Sequence, residues 1–330
     1  MGLDMLQVAV GADGSADSLY LLEAPAPLAG AGELLIEVAY AGINRPDILQ
    51  RQGAYPPPPG ASPVLGLEVS GQVAAIGAGV SGWQLGDAVC ALVPGGGYAQ
   101  WCSTPAGQAL PVPANLSLAE AASLPENWFT VWVNLIEHGR LTAADRLLVH
   151  GGSSGIGVAA SQLARLQGVE CIVTVGSDDK ARFCQEFSGV TAINYQSGDF
   201  VARVRELTNG AGVDVVLDMV GGDYVPRNLS VLRPNGRLVL IGLQRGNRAE
   251  IDLATVMRNR LVVTGSTMRP RSVAEKTAIR DALLRTVWPA LTAGRVRTHV
   301  HTVLPLAEAA AAHRLMESGK FMGKILLQVR

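Results

Sequence analysis

The stretch Val149–Ala160, VHGGSSGIGVAA, sets four glycines and two serines between an apolar run and a segment of helical spacing. Glycine at such a junction lets backbone N–H groups and a helix N-terminus approach a pyrophosphate. Gly152, Gly155 and Gly157 supply the turn, and Ala159 and Ala160 allow a helix to pack closely on a sheet. A glycine pattern alone is weak, but this one follows a predicted strand, RLLVH, and opens a predicted helix, VAASQLARLQG, that stops at Gly168. Binding of a dinucleotide is the chemistry expected. Further along, the predicted strand ECIVTV runs into GSDDK. A ribose 2′-hydroxyl is usually held by an acid at this strand end, whereas a 2′-phosphate calls for small and basic groups. Gly176 and Ser177 hold the position, and Lys180 follows in the first helical turn. Asp178 and Asp179 could repel a phosphate, but both are residue types favoured at a helix N-cap and first turn, and we read them so.

Elements must position these groups. From Arg146 onward, apolar runs (RLLVH, ECIVTV, TAINY, VDVVLDMV, RLVLIG, RLVVTG) alternate with helical patterns at Asp178–Phe187, Asp199–Thr208 and near Tyr224–Leu232. Six buried-type strands with intervening helices predict a doubly wound parallel sheet. The first third differs. ELLIEVAYAGI, VSGQVAAIGAGV and DAVCALV are punctuated by AYPPPPGASP and PGGG, which predicts a partly antiparallel β domain, with Pro56–Pro59 as a stiff loop. The tail predicts a helix from about Val273 to Thr292, another from about Leu306 to Ser318, and a last strand, KILLQV, returning to the first domain. The expected division is 1–122 and 268–330 for the β domain and 123–267 for the nucleotide domain.

Composition excludes several classes. The 330 residues are 48% hydrophobic and 17% charged, which argues against disorder. A net charge of −1 speaks against a nucleic-acid surface, and no apolar run is long enough for a membrane span. The first basic residue is Arg45, so no basic leader is expected, and Leu6 leaves the Met-Gly start without a myristoylation pattern. A cytosolic location is the expectation. Cys90, Cys102, Cys171 and Cys184 are scattered, as buried small hydrophobes would be, and His299 and His301 alone do not make a metal site.

The turn GGSSGIG resembles the opening of short-chain dehydrogenases, but those enzymes need a Tyr-x-x-x-Lys pair downstream. Tyr195 and Tyr224 are followed four residues on by Asp199 and Asn228, so that reading fails. A β domain, a central nucleotide domain and a C-terminal return instead resemble the medium-chain dehydrogenase/reductase superfamily. Within it the chain is similar to the zinc-independent quinone oxidoreductase (zeta-crystallin-like) branch, with its nearest likeness to the p53-inducible quinone oxidoreductase type. The likeness is carried by GINRPDILQRQGAYPPPPGASPVLGLEVSGQV, ALVPGGGYAQW, LPENWFTVW, HGGSSGIG, VTVGSDDK, AINY and GKILLQV, and covers essentially the whole chain.

The resemblance implies an α/β protein with a GroES-like, partly antiparallel β-barrel catalytic domain and a doubly wound Rossmann domain. Zinc-dependent members carry Gly-His-Glu where this chain reads LGLEVSG, with Leu67 in place of the His, and GINRPD lacks the expected cysteine. No metal is therefore expected. In the resembled family a Lys at the place of Lys180 and a Tyr at that of Tyr195 bind the 2′-phosphate, so NADPH is the expected cofactor. The resemblance further implies Asn44 and Thr130 at the nicotinamide, and Ser154, Gly155, Ile156 and Gly157 at the pyrophosphate. Met219, Val220, Gly242 and Leu243 would line the groove. Some relatives place an Arg on the cofactor phosphate near the C-terminus, where Lys320 or Lys324 would have to substitute. Tyr55 and Ser154 are the polar groups expected near a substrate carbonyl.

The expected activity is hydride transfer from NADPH to a quinone-type acceptor. Reduction of an enone or enoyl C=C bond, and a non-catalytic crystallin-like or RNA-binding role, remain open alternatives. A homodimer is expected by resemblance, with RLVVTG as the edge strand pairing across a two-fold axis.

Overall fold

The structure, a computed structural model, describes residues 4–330; the Met-Gly start lies outside the described residues. Along the chain come β1 (Asp4–Val10), β2 (Leu19–Pro25), β3 (Glu33–Gly42), α1 (Arg45–Arg51), β4 (Glu68–Ile76), β5 (Ala88–Leu92), β6 (Trp101–Pro105), β7 (Ala109–Pro111), α2 (Leu118–Ala121) and α3 (Pro125–Val131). Next follow β8 (Arg146–His150), α4 (Gly155–Gln167), β9 (Glu170–Val175), α5 (Asp178–Phe183), β10 (Thr191–Asn194), α6 (Phe200–Leu207), β11 (Val213–Asp218), α7 (Tyr224–Val231), β12 (Leu232–Leu240), α8 (Leu253–Asn259) and β13 (Val262–Gly265). The chain closes with α9 (Val273–Thr286), α10 (Trp288–Thr292), β14 (Val300–Pro305), α11 (Ala309–Ser318) and β15 (Lys324–Gln328). The residues gather into two units, one of 1–129 and 269–330 and the other of 130–268.

The first unit is built on a sheet of order β14-β15-β3-β4-β5-β7, with β6 paired to β3. The pairings are antiparallel except for β14 with β15. Along β3 the side chains of Leu34, Ile36 and Val38 turn inward at every second position, onto Val69, Val89, Ile325 and Leu327. The strand β15 arrives from the chain's end and joins β3, with Leu327 opposite Ala41.

The second unit is a six-stranded sheet, β10-β9-β8-β11-β12-β13, parallel throughout. Every residue of β11 is buried, because helices cover both faces of a central parallel strand. The strand order reverses between β8 and β11, which is where an open sheet of this kind leaves a crevice at the C-terminal strand ends.

Several elements differ from the sequence expectation. The segment Arg45–Arg51 is a helix, its start fixed by Pro46 in the first turn and by the Asp47 carboxylate, which accepts the Asn44 N–H at 2.8 Å. The single helix expected over 273–292 breaks after Thr286, since Pro289 has no N–H to continue the ladder and disfavours a helical residue before it. The strand β14 and the β1–β2 hairpin were not foreseen. No helix among the described residues is long and apolar enough to cross a membrane.

Candidate functional site

In the second unit the glycine turn joins β8 to α4. Gly151 takes φ +74°, a left-handed conformation that glycine adopts without strain. A Cβ on Gly157 would stand 2.4 Å from the carbonyl oxygens of both Gly151 and Gly152, so only glycine lets the helix start this close to the turn. Ser154 is the N-cap of α4. Its Oγ donates to the Gly151 carbonyl at 2.8 Å and accepts the Gly157 N–H at 3.1 Å. That single proton is engaged within the turn. Gly155 and Ile156 occupy the first turn of α4, where helical N–H groups have no intrahelical acceptor. The result is a cradle suited to a phosphate, at the sheet's switch point.

The neighbouring strand ends carry the second group. Ser177 caps α5, its Oγ accepting the Lys180 N–H at 3.3 Å. Gly176 faces the Tyr195 phenol, whose oxygen lies 2.7 Å from where a Cβ would stand. The two acids of GSDDK are engaged elsewhere. Asp178 accepts a hydrogen bond from Asn194 at 2.8 Å, and Asp179 pairs with Arg182 at 3.1 Å. Lys180 is partly buried, and that burial lowers its ammonium from the usual lysine range. Gly176 and the Tyr195 phenol thus meet at this strand end, and Ser177 and Lys180 open α5 just beyond it.

The loops after β11 and β12 converge too. The Met219 sulfur sits 2.6 Å from where a Cβ on Gly151 would stand, the Arg245 N–H donates to the Val220 carbonyl at 2.8 Å, and Leu243 leans on Gly221. Gly242 lies against the Met219 carbonyl. Val220, with the adjoining Gly221, is held by a buried chain that sequence reasoning missed. His150 Nδ1 is 2.8 Å from Thr174 Oγ1, and its Nε2 is 2.7 Å from Asn228 Oδ1. Asn228 donates to Asp218, which accepts the Val220 N–H at 2.7 Å and the Gly221 N–H at 3.2 Å. The Thr174 carbonyl accepts the N–H groups of Gly151 and Gly152 at 3.0 Å, so one polar chain ties the phosphate turn to the groove loop. Burial drives His150 down to about 4, which keeps the imidazole neutral. Thr130 stands apart on α3, its carbonyl bound by Asn134.

Asn44 and Tyr55 belong to the first unit. Asn44 is buried in an ionic cluster: its Nδ2 donates to Glu68 Oε1 at 2.9 Å, and its Oδ1 accepts from Lys324 Nζ at 2.7 Å. Lys324 also reaches Glu68 Oε1 at 2.5 Å and the Ile43 carbonyl at 3.2 Å. All three ammonium protons are used inside the domain, so the expectation that Lys324 might contact a cofactor phosphate is corrected. Lys320 is exposed just past α11. The other oxygen of Glu68 accepts the Glu126 N–H at 2.9 Å. Tyr55 is partly buried against Arg269, whose guanidinium lies 5.6 Å from its ring and donates to its carbonyl at 3.3 Å. Burial, and next the charge of Glu126, raise the Tyr55 phenol above its usual range, while Arg269 opposes them.

A zinc ion needs three or four N, S or O donors in tetrahedral array. Among the described residues no group of three His, Cys, Asp or Glu side chains is placed to hold a metal. Leu67 is buried and apolar, Glu68 is neutralised by Lys324, and all four cysteines are buried free thiols. Burial pushes Cys102 up to about 12, away from the thiolate a metal requires. This donor set does not fit zinc.

The alcohol dehydrogenase GroES-like domain model matches residues 30–114, and the zinc-binding dehydrogenase model matches 189–327. A phenolphthiocerol/phthiocerol polyketide synthase chain from Mycobacterium tuberculosis is 32% identical over 316 residues; the present chain spans only 14% of that protein's length. A mycobacterial quinone oxidoreductase is 31% identical with a TM-score of 0.84, covering 98% of this chain and 100% of that one. Escherichia coli quinone oxidoreductase complexed with NADPH gives 28%, TM-score 0.86 and the same coverages. The CurK enoyl reductase gives 29% and TM-score 0.86, covering 99% of each chain.

Proposed function

Because the chain belongs to the medium-chain dehydrogenase/reductase superfamily, we propose that it is an NADPH-dependent, zinc-independent reductase of quinone-type conjugated acceptors. The observation that carries the cofactor half is the strand end where Gly176 meets the Tyr195 phenol, Ser177 caps the helix that carries Lys180 in its first turn, and Asp178 and Asp179 are engaged by Asn194 and Arg182. The quinone half is supported by the similar oxidoreductases, one of them solved with NADPH.

In this reading Ser154, Gly155, Ile156 and Gly157 hold the pyrophosphate, Lys180 and Tyr195 the 2′-phosphate, and Met219, Val220, Gly242 and Leu243 the groove. Asn44 and Thr130 serve the nicotinamide. When bound, the cofactor supplies a hydride from the nicotinamide C4. Tyr55 donates a hydrogen bond to the oxygen on which charge develops, an interaction that strengthens in the transition state. Ser154, whose proton is given to Gly151, is assigned to the turn and not to the acceptor.

A second reading, reduction of an enone or enoyl C=C bond, is supported by the similar enoyl reductase and polyketide synthase. We further propose a homodimer through β13, an edge strand that exposes Val262 and Val263 beside Leu253 and Met257 of α8. Light scattering should give twice the chain mass, falling when Val263 and Met257 become charged. The deciding experiment for function is an NADPH oxidation screen over ortho-quinones, para-quinones, enones and enoyl thioesters. Quinone turnover far above the others supports the first reading, enoyl turnover the second, and none overturns both.

A further inference from the structure

If the chain reduces a conjugated acceptor as proposed above, the Tyr55 phenol has to be aimed, and its own loop is poorly equipped to aim it. Tyr55 is followed by Pro56–Pro59, four residues with no backbone N–H to tie the loop down. The contact that reaches it comes from Arg269, 214 residues along the chain. The guanidinium of Arg269 is anchored first. Its Nε and Nη2 both donate to the Pro94 carbonyl, at 3.0 and 2.9 Å, a two-pronged grip that fixes the plane of the group. Pro94 sits in a firm ladder: the N–H groups of Val93, Gly96, Gly97 and Tyr98 donate to the carbonyls of Leu67, Val64, Gly66 and Leu65 at 2.8–3.1 Å. From that anchor Nη1 reaches the Tyr55 carbonyl at 3.3 Å, and the guanidinium carbon lies 5.6 Å from the centre of the Tyr55 ring.

The backbone of Arg269 is pinned as well, its carbonyl accepting Lys276 Nζ at 2.9 Å. Lys276 comes from α9, whose start is fixed by the capping box of Ser272 and Glu275. Both cations are buried, and every hydrogen bond that either makes ends on a backbone carbonyl. Taking a guanidinium out of water onto neutral acceptors is unfavourable. An apolar side chain would fill the space without that cost, so what Arg269 adds is the fixed geometry of its three hydrogen bonds.

We propose that Arg269 is a positioning residue for the reduction: it transmits the ladder at Pro94 to Tyr55 and so holds the phenol where the acceptor oxygen meets it. Its charge and its backbone N–H also oppose the burial that raises the phenol, which leaves the O–H a stronger hydrogen-bond donor than burial alone would. Arg269 acts through Tyr55 and has no contact of its own to make with the acceptor. A drift of about 1 Å in a reacting group can cost about 100-fold in rate. Loosening the grip should therefore be felt in kcat and not in cofactor binding.

The test uses the full chain with the best acceptor of the screen. Tyr55→Phe removes the donor and should lower kcat about 100-fold. Arg269→Met should lower it about 10- to 100-fold, with NADPH affinity unchanged. Arg269→Lys keeps the charge but not the fork, and should still lose about tenfold. Added to Tyr55→Phe, Arg269→Lys should cost less than about twofold, because the phenol that the grip aims is already gone. An equal loss in both backgrounds would make Arg269 a merely structural residue and overturns the proposal. A further measurement needs no turnover. With fluorotyrosine at the six tyrosines, the fluorine resonance missing from Tyr55→Phe is that of Tyr55. It should shift and sharpen in Arg269→Lys while the others stay in place; an unmoved Tyr55 resonance overturns the grip. Should Arg269→Met fail to fold, Arg269→Lys carries both measurements. A wild type that reduces no acceptor overturns the functional reading, whereas an active wild type whose Arg269→Lys variant keeps kcat overturns this proposal alone.

Discussion

The two units bury polarity in opposite ways. The first encloses full charges: Glu68 with Lys324, Asp47 beside them, and Arg51 paired with Glu317 at 2.6 Å. The second encloses a chain running Thr174–His150–Asn228–Asp218, in which the imidazole is neutral and only the last member is an acid, satisfied by backbone N–H groups. An ion pair fixes residues from distant parts of the sequence by Coulomb attraction, but its members fail badly if separated. A neutral chain passes hydrogen bonds from one strand to the next and fixes loop geometry with little charge to desolvate. Charges are therefore gathered where Tyr55 and Glu126 stand, and a rigid neutral frame lies where a polyanion would be cradled.

The contrast is sharpest at Lys324. In Lys324→Met, Glu68 stays buried with its counter-charge gone, and unfolding free energy should fall by about 3–5 kcal/mol. Glu68→Gln/Lys324→Met should recover much of that loss, since no unpaired charge remains. Urea denaturation of the three proteins checks this. A loss in the single variant no larger than that in the double would show that the pair contributes packing only.

Opposite pH slopes are the next consequence. His150 is lowered from about 6.5 to about 4, so between those values the unfolded chain binds the extra proton and stability falls as pH falls. The full cost approaches about 3 kcal/mol near pH 4. Asp47 and Glu126 are shifted upward, Asp47 to about 6 through burial, so their contribution falls as pH rises instead. Stability measured against pH in wild type and His150→Gln should converge below pH 6.5, because the variant starts about 1–3 kcal/mol lower from the missing hydrogen bonds but lacks the acid slope. Parallel curves would mean that the imidazole takes up its proton in the folded state.

The same contrast explains what the sequence could and could not reveal. The six strands of the second unit were legible because each is covered on both faces and reads as an unbroken apolar run; VDVVLD is buried throughout. The strands β1, β2 and β14 were not. They are half-exposed, with Tyr20 and Leu22 facing solvent on β2, and none reads as an unbroken apolar run. Gly152, Gly155 and Gly157 were recognisable as a turn, but the left-handed position is Gly151, which spacing alone does not single out. Lys324 looked like a candidate phosphate ligand because some relatives carry an Arg on the cofactor phosphate in this region; its real partner, Glu68, lies 256 residues away. Glu126 lies within LPENWFTVW, but nothing in that stretch marks its chemistry, since its upward shift comes from burial and then from Glu68, which only the fold creates.

On the second unit's rim Lys180 should govern ligand choice and leave folding alone. A hydrogen bond to a charged group contributes roughly 1.5–3 kcal/mol, or about 10- to 100-fold in affinity. Lys180→Ala should weaken NADPH by about that factor while barely changing NADH, because only the 2′-phosphate is deprived of a partner. Its thermal midpoint should stay within about 1–2 °C of wild type, as expected for a substitution outside the core. Tyr195→Phe removes one phenol proton beside Gly176 and should cost less, about three- to tenfold, in the same direction. Titration of both dinucleotides into wild type and the two variants checks the set. Equal losses for NADPH and NADH would make Lys180 an ordinary helix-surface charge. A wild type that prefers NADH would mean that Asp178 or Asp179 leaves Asn194 or Arg182 to take the ribose hydroxyls, and the assignment of the strand end would reverse.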